Sequence, residues 1–272
     1  MSSQAQRYID HLKNIMDNGV KIYPRGEEVL EIGDLQLVVD PREPFMNFKA
    51  RKYPLNYFRR EMLWKLGASK YDRSIENCAK MWDSVRNPDG SFNSNYGQYW
   101  FAGEQNIFSV VTELIRDPDS RRACIPMLST EHMAPWVKDT VCTEAVSFRL
   151  RDMCLHMSVH MRSSDSVFGL GTDIPTFSFL YRLVAALLQP CFGNDIRFGY
   201  ITITAASSHI YSRHYEIVNK IIDEGIDSYT AIDMPMTKYM EAMFLISKRG
   251  KMVDIPIPYN LARWLVRGLE DD

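Results

Sequence analysis

Cys142 stands in Asp139-Thr-Val-Cys-Thr-Glu144, and further along comes Arg162-Ser-Ser-Asp-Ser-Val-Phe-Gly-Leu-Gly-Thr-Asp173. The nucleophilic form of cysteine is the thiolate, which needs nearby positive charge or hydrogen-bond donors. Arg121, Arg122 and Arg162 are candidates, provided the fold brings them close. Taken alone, Cys142 reads first as a small buried hydrophobe. Arg25, Arg121, Arg122 and Arg162 lie in or beside turns and singly read as solvated charges. As a set they suit a phosphate monoester, because guanidinium gives bidentate, permanently charged hydrogen bonds to phosphate oxygens. Glu61 shares a helical face with Tyr57 and Trp64. It reads either as a carboxylate in an apolar cleft with a raised pKa, able to move protons, or as a side chain reaching solvent. His209 and Tyr211 alternate onto one strand face, suiting either a sugar hydroxyl or the core. Trp82 lies on an apolar helical stripe, as core or as a stacking surface for a flat heterocycle. His156 and His160 form no zinc-ligand motif, so no metal is expected.

Elements must position these groups. Apolar spacing predicts helices over 5–18, 55–66, 74–86, 104–116, 174–189 and 212–223. Strands are predicted over 28–39, 122–128, 141–151, 154–162 and 199–206, with turns at Arg25-Gly26 and Asn87-Pro-Asp-Gly90. In 141–151, Cys142, Val146, Phe148 and Leu150 share a parity, so Cys142 is expected to face apolar neighbours. The order mixes helices and strands without strict alternation, which favours an α+β fold with helices against a large sheet. Nothing places the residues after about 225.

The 272 residues, 46% of them hydrophobic, can build one substantial core, and 1–272 is read as a single domain. A net charge of -2 gives no basic excess for nucleic acid. No apolar run of about 18 residues suggests a membrane span. Met1 to Arg7 lacks a signal peptide's apolar segment. Five cysteines without a Cys-x-x-Cys pair fit reduced thiols in the cytoplasm.

In chain order, several segments carry a family resemblance: Pro-Arg-Gly at 24–26, Arg-Arg-Glu-Met-Leu-Trp at 59–64 and Asn-Ser-Asn-Tyr-Gly at 93–97. Asp-Pro-Asp-Ser-Arg-Arg at 117–122, Cys142, Arg162 to Asp173, and Ser-His-Ile-Tyr-Ser-Arg-His at 208–214 continue it. Together they resemble the thymidylate synthase family. The match is closer to its phage branch that hydroxymethylates deoxycytidylate. Thr143 stands where synthases carry histidine, Asp173 where they carry asparagine and Ser207 where they carry aspartate. The end, Arg267-Gly-Leu-Glu-Asp-Asp272, is unlike the synthases' apolar tail.

The resemblance implies a thymidylate synthase-like fold, a large mixed sheet flanked by helices, with the sheet forming a homodimer interface. It implies Cys142 as the nucleophile at C6 of a pyrimidine monophosphate and 5,10-methylenetetrahydrofolate as co-substrate. Arg25, Arg162 and Ser163 would bind phosphate, joined by Arg121 and Arg122 from the partner subunit. His209 and Tyr211 would hold the ribose, Trp82 and Asp165 would line the folate site, and Glu61 and Tyr96 would manage protons and water at C5. Asp173 bears on the base: an ionised carboxylate only accepts, which suits cytosine's N4 amine and leaves uracil O4 facing an acceptor. The expectation is dCMP hydroxymethylation in the cytoplasm of a phage-infected cell. Methylation of dCMP, action on CMP or dUMP, and a non-catalytic nucleotide-binding role are the alternatives.

Overall fold

The amphipathic stripe at the N-terminus forms α1 (Gln4–Asn18), capped by Ser3 and burying Tyr8, Ile9, Leu12 and Ile15. The structure is a computed structural model that describes residues 3–193 and 196–269. The chain groups into two compact units. One holds Met1–Tyr53, Ser158–Phe179 and Tyr200–Met234, and the other Pro54–Met157, Leu180–Gly199 and Pro235–Asp272. The strands are β1 (Val20–Ile22), β2 (Val29–Val39), β3 (Cys124–Pro126), β4 (Thr143–Arg151), β5 (Cys154–Met161), β6 (Ser164–Asp165) and β7 (Arg197–Tyr211). They form one seven-stranded sheet, ordered β1-β2-β7-β5-β4-β3, with β6 beside β7. β2 runs antiparallel to β7, and β6 runs parallel to it, so the sheet is mixed, as expected of an α+β fold.

In the first unit, β7 is longer than its apolar run predicts. The polar stretch Ser207–Tyr211 stays in the ladder because it pairs with Val29–Gly33 and Ser164–Asp165. Its hydroxyls are satisfied as well: Ser207 Oγ donates to Glu31, and Ser208 Oγ lies 2.8 Å from Ser166 Oγ. Side-chain partners let a polar segment remain strand where periodicity alone says stop. The predicted helix 212–223 divides into a 3-10 turn, Ser212–His214, and α6 (Tyr215–Glu224), which ends at Gly225 with φ 63°.

In the second unit, α2 (Leu55–Gly67) is buried over most of its circumference, and three charged side chains, Arg59, Glu61 and Lys65, are buried with it. The helix predicted over 74–86 is two pieces, a 3-10 turn (Ser74–Asn77) and α3 (Met81–Val85). Ile75 and Trp82 both reach a cluster with Trp64 and Phe92, and that packing, rather than a continuous helix, places them. α4 (Ile107–Arg116) starts later than predicted because Asn106 caps it, accepting from Phe108 N and Ser109 N. The unassigned C-terminal stretch supplies α7 (Tyr239–Lys248) and α8 (Asn260–Val266). α8 closes over α2: Trp264 meets Phe58 edge-on at 6.2 Å and lies 4.6 Å beneath the Arg59 guanidinium. The acidic end, 270–272, lies outside the described residues.

α5 (Gly169–Phe192) starts earlier than predicted and continues through Pro190. It is long and apolar enough to cross a membrane, which corrects the expectation that no such run exists. However, 83% of its apolar window is buried, as befits a core helix.

Candidate functional site

In the second unit, Cys142 sits just before β4 and is half-buried. The parity argument for it fails. Thr143 is buried, Glu144 exposed, and Val146, Phe148 and Leu150 buried, so the alternation shifts inside the strand. Cys142 itself lies in a bend outside the strand; beside it, on the facing segment, the N–H groups of both Met127 and Leu128 donate to Glu144 O, at 2.8 and 3.1 Å, as in a bulge. Strand alternation counted from Val146 therefore does not extend to Cys142.

The loop holding Cys142 is tied to the Asn-Ser-Asn-Tyr-Gly segment. Asn93 Nδ2 donates to Asp139 O at 2.9 Å, and Asp139 Oδ2 accepts from Ser94 N at 2.7 Å. Asn95, fully buried, reaches the other way and donates to Trp64 O at 3.1 Å and Ser69 O at 3.0 Å. Gly97 lies so close to α2 that a Cβ there would be 1.5 Å from Lys65 O. The motif is therefore a clamp between the end of α2 and the Cys142 loop. It delivers Tyr96, whose hydroxyl accepts from the buried Thr143 Oγ1 at 3.2 Å.

Glu61 has a neighbour that the sequence reading overlooked. Lys65 Nζ lies 2.8 Å from Glu61 Oε1, the two side chains being 4% and 6% exposed. The same ammonium sits 5.0 Å from the centre of the Tyr96 ring. Glu61 is thus buried as expected of a proton-handling carboxylate, but against a cation rather than in a purely apolar cleft. The available signal was the Glu-to-Lys spacing of four, followed through the apolar run Met62-Leu-Trp64 between them. Trp82 is 5% exposed, its ring packed on Trp64 and Phe92 and its Nε1 donating to Tyr57 Oη at 3.2 Å. Arg121 and Arg122 are exposed, next to the turn where Ser120 Oγ accepts from Arg122 N.

In the first unit, Arg25 lies in the 3-10 turn Pro24–Gly26 with φ 53°, exposed. Arg162 and Ser163, half-buried, follow β5. Asp165 pairs in register with His209, and its Oδ1 accepts from Val167 N at 3.0 Å. His209 and Tyr211 share a face as predicted, their rings 5.1 Å apart and edge-on. Burial lowers the His209 pKa below its ordinary value, opposed by Asp165 and Glu31 and reinforced by Arg25 and Arg162. Two of the four arginines therefore share the surroundings of this histidine. Asp173 does not close a loop. It is half-buried one turn inside α5, and a helix fixes its direction more tightly than a loop would. Arg51, which the sequence reading missed, is 5% exposed, with its guanidinium over the Phe168 ring at 4.7 Å. Gly171 leaves room for it: a Cβ there would be 3.0 Å from Arg51 Nη1. Among the described residues no group of three or more His, Cys, Asp or Glu side chains could hold a metal ion.

The second unit offers a thiol, a buried carboxylate with an attendant cation and a phenol, groups that serve covalent catalysis, and the first offers guanidiniums and a histidine, groups that bind an anion. A family model for thymidylate synthase matches residues 6–248, and the chain belongs to the thymidylate synthase family. The family and the relatives matched are one-carbon transferases, and the family binds a pyrimidine nucleotide and methylenetetrahydrofolate. The deoxycytidylate 5-hydroxymethyltransferase of Enterobacteria phage T4 is 31% identical over 206 residues, covering 71% of this chain and 80% of that protein. The phage T6 protein of the same description has the same identity and coverage. A thymidylate synthase from Francisella philomiragia is 26% identical over 255 residues, covering 86% of this chain and 88% of its own.

Proposed function

We propose that the protein is a dCMP 5-hydroxymethylase, acting as a single functional domain over 1–272. The similarity to deoxycytidylate 5-hydroxymethyltransferases over 80% of their length carries this reading. Asp173, where an acceptor meets the base, supports it. Arg25, Arg162 and Ser163 hold the phosphate, with Arg121 and Arg122 supplied by the second subunit of a homodimer packed through its sheet. His209 and Tyr211 hold the ribose. Asp173 accepts from the cytosine amine and shares a proton with N3.

The Cys142 thiolate adds to C6 and the electron pair passes to C5, which bonds to the incoming one-carbon unit. Methylenetetrahydrofolate supplies that carbon. Asp165 fits the donor edge of a pterin, since Val167 N occupies Oδ1 only. Trp82, 5% exposed, would border the co-substrate with an edge rather than a free face. Glu61 takes the C5 proton as tetrahydrofolate leaves. Tyr96 and Glu61 direct a water to the exocyclic methylene carbon, which becomes CH₂OH as C5=C6 re-forms and expels the Cys142 sulfur. The setting is the cytoplasm of a phage-infected bacterium.

The test is incubation with dCMP, CMP or dUMP and methylenetetrahydrofolate, with products identified by mass. The expected product is 5-hydroxymethyl-dCMP. A methyl product overturns the hydroxymethylase reading, a preference for CMP or dUMP overturns the substrate, and no tritium release from any C5-labelled nucleotide overturns the enzyme.

A further inference from the structure

A buried lysine needs a reason, because its desolvation is costly unless a partner compensates. Lys65 is 3% exposed and contacts Glu61 Oε1 at 2.8 Å. One helical turn separates the two residues, so the backbone itself holds the pair. Its consequence for Glu61 is asymmetric. Oε1 is occupied by the ammonium, whereas Oε2 is buried and accepts no hydrogen bond from the protein. Buried carboxylate oxygens are normally satisfied, and one left unsatisfied in a native structure calls for an explanation. On its other side Lys65 is held by the Tyr96 ring, and Tyr96 by Thr143, the residue after Cys142. Gly97 packs against the Lys65 backbone at a distance no other residue allows, so the lysine, the tyrosine and the Cys142 loop keep one arrangement.

We propose that Lys65 is a positioning residue for Glu61, deepening the proposed function and resting on it. By binding Oε1 it fixes the carboxylate's orientation. Oε2 then remains as the acceptor for the C5 proton and the attacking water. Lys65 itself touches neither substrate nor co-substrate.

Two readouts separate this role from a structural one. In Lys65→Met, tritium release from C5-labelled dCMP should fall about 30-fold or more in kcat, with KM for dCMP within about threefold of wild type. Rates are taken per nucleotide-binding site counted by calorimetry, so a smaller folded fraction cannot imitate the effect. Should Lys65→Met not fold, Lys65→Gln, whose amide still donates to Oε1, should lose about tenfold in kcat at unchanged KM. Wild-type kcat per binding site in either variant overturns the proposal. The second readout needs no turnover: a crystal structure of the variant should show the Glu61 carboxylate in a different rotamer, and an unmoved carboxylate overturns the positioning role. A wild-type protein that releases no tritium from any pyrimidine nucleotide sinks the proposed function instead, and the rotamer result alone then decides whether Lys65 positions Glu61.

Discussion

At the scale of single residues, the substitution with the clearest chemical meaning is Asp173. In the base-reading role proposed for it, the Asp173 carboxylate accepts and does not donate, whereas asparagine does both. A mismatched buried polar pair costs about 1–3 kcal/mol, roughly ten- to hundred-fold in relative kcat/KM. Asp173→Asn should therefore raise the dUMP to dCMP ratio of kcat/KM by about that factor. Turnover of the two nucleotides in parallel provides the check, and an unchanged ratio removes Asp173 from base selection. The residue's place one turn into α5, rather than in a loop, sharpens this expectation, because its backbone is held by the helix. Sequence reasoning named Glu61 and Tyr96 from motifs but could not supply Lys65, since a lysine in a helix usually reads as solvated. Only the packing around α2 shows that this one is buried.

At the scale of elements, the Asn-Ser-Asn-Tyr-Gly segment acts through backbone contacts more than through side-chain chemistry. Asn93 and Ser94 grip Asp139, Asn95 grips the carbonyls at the end of α2, and Gly97 permits the close approach. Gly97→Ala puts a methyl 2.6 Å from Lys65 C and nearer still to its oxygen. Overpacking of this kind typically costs about 1–3 kcal/mol. Urea denaturation should show a loss of at least that size, and tritium release should fall with it as Tyr96 is displaced. A variant with wild-type midpoint and rate would mean that the clamp has slack. The element-level failures of the sequence reading have local causes. Cys142 falls in a bend just outside β4, beyond the reach of the parity count, Asn106 delays α4, and hydroxyl pairing lengthens β7.

At the scale of the whole molecule, acid sensitivity should trace in part to a buried histidine. His11 Nε2 lies 3.1 Å from both Ser166 Oγ and Ser208 Oγ, and burial lowers its pKa to about 4. The folded-state value lies below the unfolded value of about 6.5. The neutral ring's contribution is therefore complete above pH 6.5 and lost as pH falls towards 4. Each pH unit in that window removes about 1.4 kcal/mol. Urea titrations of wild type and His11→Gln at pH 7, 5.5 and 4.5 should show the stability gap shrinking with acidity. A gap independent of pH would show that His11 binds protons equally in the folded and unfolded states, which overturns the expectation. Cys142, the arginines, the Asn-Tyr-Gly clamp and Asp173 announced the family from the chain alone, because catalytic motifs are short, ordered and chemically unusual. The mixed α+β class was equally legible, because helical and strand periodicities are local. What required the tertiary structure was everything decided by burial: the lysine on Glu61, Arg51 beneath Gly171, the bulge beside Cys142, and the cover that α8 lays over α2. Desolvation and packing depend on partners distant in sequence, and no spacing rule reports them.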